Sequence, residues 1–127
     1  MSSFSRLLCA SIGALALAGC ERAAPLSTCN PPVVLFGLQV IVVDSLTNTS
    51  PPSAILIFRS GAYVDSVGPR TPDALGWLSL GAAMERSGTY DLTVRAPGYR
   101  EWTRAGVRVT DDGCHVDPVS VTARLRT

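Results

Sequence analysis

The segment Thr89-Tyr-Asp-Leu-Thr-Val-Arg95 alternates polar and apolar side chains at every step. Successive side chains of a strand point to opposite faces, so a period of two predicts a strand buried on one side. Tyr90, Leu92 and Val94 face a core, and Asp91, Thr93 and Arg95 face water. Runs of the same kind recur through the chain, separated by clusters of Gly, Pro, Asn, Asp and Ser: Gly37–Asp44, Ala54–Ser60, Ala62–Val67, Gly76–Leu80 and Tyr99–Thr110. A last run places Val119, Val121, Ala123 and Leu125 opposite Ser120, Thr122 and Arg124. No window of helical length carries a 3.6-residue apolar stripe, and Pro72–Arg86 is the least regular strand pattern. About seven short strands at this spacing predict an all-β fold, a two-sheet β-sandwich.

The chain before Gly37 is built differently. Leu7 to Gly19 is an apolar run of thirteen residues behind Arg6, too short for a bilayer-spanning helix, which takes about twenty. A positive start, a short apolar stretch and a small-residue exit make a secretory signal. Its ending, Leu17-Ala18-Gly19-Cys20, resembles the lipobox of bacterial lipoproteins. That resemblance implies cleavage after Gly19 and acylation of Cys20, so residues 1–19 are expected to be a lipoprotein signal peptide. Residues 20–36, with three prolines before Val33, read as a lipidated tether, and residues 37–127 as one domain. The expected location is the bacterial envelope, with membrane lipid as a partner through Cys20. Glu21 is not the aspartate that retains some lipoproteins in the inner membrane, which favours the outer one.

Cys29 and Cys114 are then the two cysteines left, in an oxidising compartment that favours a disulfide. Every one of the eleven basic residues is arginine, and loss of Arg6 leaves ten against ten Asp and Glu. That balance argues against a nucleic-acid partner bound through bulk charge.

Three stretches carry a family resemblance. "VVDSLTNTSPPSAILIF", "SGTYDLTVRAPGY" and "GVRVTDDGCHVDPVSVTARL" look like the carboxypeptidase regulatory-like domain, a transthyretin-like (prealbumin-type) β-sandwich. The matching positions are Asp44, Pro51, Pro52 and Ala54; Gly88, Tyr90, Leu92, Val94, Ala96, Gly98 and Tyr99; then Val119, Val121 and Leu125. Gly37 to Leu125 is covered, with a departure at "TPDALGWLSL", where members often carry "TDxxGxFxF". The resemblance implies the sandwich, with Tyr90 and Tyr99 as buried rings whose hydroxyls stay wet.

The fold alone assigns no function. The chain has a single histidine, His115, which does not furnish a zinc site or the several histidines of transthyretin-related hydrolases. Without lysine, Lys–Asn isopeptide chemistry is excluded. Asp111, Asp112, His115 and Asp117 gather around an Asp-Gly pair that reads as a hairpin turn, with His115 on the strand after it. No catalytic residue, metal or cofactor is expected. The richest contact patch is Arg100, Trp102 and Arg104, which a period of two places on one face of a strand, opposite Tyr99. A tryptophan between guanidinium groups suits a protein or glycan partner in the envelope. The expectation is a non-catalytic binding or structural module. The alternatives are a carbohydrate-binding module using Trp77 and Trp102 in a row, or a transthyretin-related hydrolase.

Overall fold

A computed structural model of the chain describes Cys29 and residues 33–127. The expected signal peptide, Cys20 and the expected tether up to Pro32, apart from Cys29, lie outside the described residues. Seven strands and no helix are found among them: β1 (Phe36–Asp44), β2 (Ala54–Ser60), β3 (Tyr63–Arg70), β4 (Leu78–Met84), β5 (Gly88–Arg95), β6 (Trp102–Val109) and β7 (Val119–Leu125). They form a three-stranded sheet in the order β4-β1-β7 and a four-stranded sheet in the order β3-β2-β5-β6. β1 is antiparallel to β4 and parallel to β7, whereas every pair in the larger sheet is antiparallel.

Alternation explains how the two sheets share one core. Leu38, Val40 and Val42 of β1 are fully buried, as are Tyr90 and Val94 of β5, with Leu92 at 1%. Leu56 and Phe58 of β2, Leu78 and Leu80 of β4, and Val121, Ala123 and Leu125 of β7 complete the same cluster. No polar or charged residue is buried among the described residues except for the hydroxyl of Tyr90. That hydroxyl donates to the Arg86 carbonyl at 2.9 Å, while the ring meets Phe58 edge-on at 6.0 Å. A buried tyrosine that keeps its hydrogen bond adds apolar area without a desolvated donor.

The irregular stretch at Pro72–Arg86 has a local cause. Asp73 Oδ1 accepts the N–H groups of Leu75 and Trp77, and Asp73 N–H donates to the Trp77 carbonyl at 2.8 Å. This closed turn delays β4 to Leu78. The sheet also takes in the end of the expected tether: β1 begins at Phe36, and Leu35 already packs against the core.

Cys29 and Cys114 stand at disulfide distance, Sγ–Sγ 1.99 Å, across 85 positions of sequence. Beside them the Glu85 carboxylate binds three segments together. It accepts Leu35 N–H at 2.8 Å, Val116 N–H at 3.2 Å and contacts His115 Nδ1 at 2.8 Å. His115 is therefore in the bend between Asp111 and Val116, which form an isolated bridge, and not on the strand assigned to it from sequence. The Asx turns at Asp111 and Asp112 curl the chain there before β7 starts.

These hydrogen bonds, led by the one from Leu35 and followed by that from His115, hold the Glu85 carboxyl below its ordinary value of 4.5. A carboxylate with a depressed folded-state pKa contributes stability above its unfolded value and loses it as pH falls through the folded value. Glu85→Gln should therefore lower the melting temperature at neutral pH, and the gap to the parent should close as pH falls below 4.5. Removing both Cys29 and Cys114 as alanines should cost about 2–5 kcal/mol in denaturant unfolding without changing the far-UV spectrum.

Candidate binding cleft

β6 begins at Trp102, after a turn over Pro97 and Gly98. The register of β6 against β5 slips once: Tyr90 pairs with Val107, but Leu92 pairs with Arg104. Asp91 thus faces two residues, Ala105 and Gly106. Gly106 takes the left-handed φ of 70° that a bulge of this kind requires, and its N–H donates to Asp91 Oδ1 at 3.1 Å.

That extra residue reverses the alternation along β6. Val107 and Val109 point into the core, and so, beyond the bulge, does the side occupied by Arg104 and Trp102, whose partners Leu92 and Val94 are buried. The outward face expected of Arg100, Trp102 and Arg104 is not what forms. Trp102 is half-buried and packs against the core, as Tyr99 does. Arg104 stays exposed on an edge strand, and Arg100 precedes the strand altogether.

A different grouping forms in its place. Ser45, Arg100, Glu101, Trp102, Arg124 and Arg126 line a cleft of about 610 Å³ at the corner where the edges of the two sheets, β6 and β7, come together. Three separate stretches of chain supply it, and backbone bonds hold them in place. Arg100 N–H donates to the Arg126 carbonyl at 2.7 Å, and Ser45 N–H donates to the Leu125 carbonyl at 2.8 Å. Asp44, at the end of β1, accepts Leu46 N–H at 2.7 Å and Thr47 N–H at 3.1 Å through Oδ1, and the Tyr99 hydroxyl at 2.8 Å through Oδ2. The backbone bonds from Leu46 and Thr47, then the Tyr99 bond, hold the Asp44 carboxyl below its usual range. The same bond, before burial, pushes the Tyr99 hydroxyl up.

The charges in the cleft are uneven. Glu101 is engaged by Arg95 at 2.7 Å. Arg124 donates to Asn48 Oδ1 at 2.7 Å, a neutral acceptor that orients the guanidinium and leaves its charge intact. Arg100 and Arg126 have no ion-pair partner among the described residues. Arg124 and Arg126 went unnoticed in the sequence because they fall at and just beyond the end of β7, more than twenty residues from Arg100. Only the parallel pairing of β7 with β1, from Leu38↔Val119 to Asp44↔Leu125, brings them to Arg100 and Ser45.

Among the described residues no group of three or more His, Cys, Asp or Glu side chains is placed to hold a metal ion. Trp77, 51% exposed, precedes β4 in the three-stranded sheet, whereas Trp102 belongs to the four-stranded one, so the two do not form a row on one face. Searches against family models, curated proteins and solved structures matched nothing.

Trp102→Ala should destabilise the domain by about 2–3 kcal/mol, short of the cost of a fully buried ring. Trp102→Phe should recover most of that loss in a thermal melt, since it restores contact with Val94.

Proposed function

We propose that the protein is a non-catalytic binding module of the bacterial envelope, a lipoprotein anchored through acylated Cys20 whose sandwich is of the transthyretin-like, carboxypeptidase regulatory-like type. Its role is to present the β6–β7 cleft to another envelope component, a glycan or a protein. The observation that carries this reading is the convergence of Arg100, Arg124 and Arg126 beside Trp102 in one cleft. Arginine and tryptophan are the side chains that contribute most per residue to recognition, and here backbone hydrogen bonds bring together the stretches of chain that carry them.

The arrangement of the domain supports the anchor. Cys29, where the tether joins, lies by its pairing with Cys114 at the end where β1 starts and β6 finishes. The cleft lies where β1 ends. Nine residues of β1 separate them, roughly 25–30 Å at the rise of a strand, so a membrane-tethered domain holds its cleft away from the lipid.

Two measurements test the proposal. A clickable fatty acid should label the parent and leave Cys20→Ala unlabelled and uncleaved; equal labelling of the variant removes the anchor. The mature chain should be retained on isolated cell-envelope material, and Arg100→Ala/Arg126→Ala should lower retention at least tenfold while melting like the parent. Retention unaffected by that double change removes the cleft as the binding surface.

A further inference from the structure

The cleft gathers positive charge where stability alone gives no reason to do so. The described residues hold acids enough to pair with arginines, and Arg95 with Glu101 shows one such pair at its rim. Glu101, the one carboxylate among the residues lining the cleft, meets Arg95 through Oε2. Asp44, the nearest other acid along β1, accepts two backbone N–H groups and the Tyr99 hydroxyl and forms no ion pair with an arginine among the described residues. Arg124 is oriented by an amide that cannot neutralise it. Three guanidinium groups therefore share one concave space with a single carboxylate, Glu101, which is already paired with Arg95, and the half-buried indole of Trp102 forms one wall.

Resting on the binding-module reading of the same cleft, we propose that its ligand carries an oxyanion, a carboxylate or a phosphate, held by Arg100 and Arg126. The guanidinium fork matches either group with two parallel hydrogen bonds. Arg100 and Arg126 are joined through their backbones at 2.7 Å, and both side chains line the same cleft. Arg124 adds charge from the neighbouring strand position, and the indole supplies an apolar wall for the carbon skeleton that bears the anion. Arg104 is not among the residues that line the cleft.

The test uses three probes of one skeleton on the mature chain: glucose, glucuronate and glucose 6-phosphate. The readout is the indole N–H resonance of Trp102, identified by its persistence in Trp77→Phe. Both acidic sugars should shift it saturably and glucose should not. The stronger of the two identifies the source as carboxylate or phosphate. Arg126→Gln and Arg100→Gln should each raise Kd at least tenfold, with Arg126→Lys closer to the glutamine variant than to the parent. Raising sodium chloride should weaken binding, as expected for exposed charges. An equal shift by glucose, no shift by either acid, or parental affinity in Arg126→Gln overturns the oxyanion. Envelope retention that depends on Arg100 and Arg126 in a protein indifferent to both acids keeps the binding module and discards the oxyanion. The converse result, acid binding without envelope retention, keeps the oxyanion and discards the module.

Discussion

Asp44 ends β1 with every available oxygen in use, and the geometry of the cleft depends on those bonds. Two N–H groups from Leu46 and Thr47 meet one carboxylate oxygen, which turns the chain sharply out of the sheet. The other oxygen takes the Tyr99 hydroxyl from the opposite sheet. Charge-assisted hydrogen bonds are the stronger kind, and this one crosses between the sheets at the corner where Arg100 and Arg126 then pair through their backbones. The turn it creates also carries Asn48, whose left-handed φ of 55° directs the amide that orients Arg124. A single carboxylate thus sets the positions of Ser45, Tyr99, Asn48 and, through them, the arginines.

The bulge at Ala105 and Gly106 acts on the other side of the same corner. A regular β6 with Val107 and Val109 inward would place Ala105 and Thr103 inward as well, leaving Trp102 in water. One extra residue exchanges that pair for Arg104 and Trp102. The indole then covers the end of the core beside Val94, and the edge of the sheet carries an arginine that discourages pairing with another chain. Placing Arg104 on the core side is tolerated because β6 is an edge strand, so the long side chain reaches solvent past it.

The sequence patterns most useful here were those with a local physical cause. Alternation at Tyr90, Leu92 and Val94 and at Val121, Ala123 and Leu125 identifies strands because the core is built from every second side chain. The turn at Asp111–Gly113 is equally local. Pairing order is non-local: nothing in Arg124 or Arg126 marks them as neighbours of Arg100 until β7 lies parallel to β1. The face of Trp102 was misjudged for a related reason. Counting by two assumes an unbroken ladder, and the signal for the break is a single glycine, Gly106, which does the same service in many regular strands. Glu85 is the clearest omission, since its role depends on three segments meeting that are far apart in the chain.

The two ends of the sandwich therefore hold themselves together by different means. At one end a disulfide and the Glu85 carboxylate tie the start of β1 to the loop before β7. Covalent closure of so long a loop is worth about 4–5 kcal/mol in the chain-entropy model, a large share of the stability of a domain this small. At the other end Asp44 and a few backbone bonds hold the sheets, and the guanidinium groups are left with charge to spare. One end is thus closed covalently, whereas the far corner rests on hydrogen bonds and holds three guanidinium groups close together. Arg100 belongs to both features of that corner: its N–H donates to the Arg126 carbonyl, and its side chain lines the cleft.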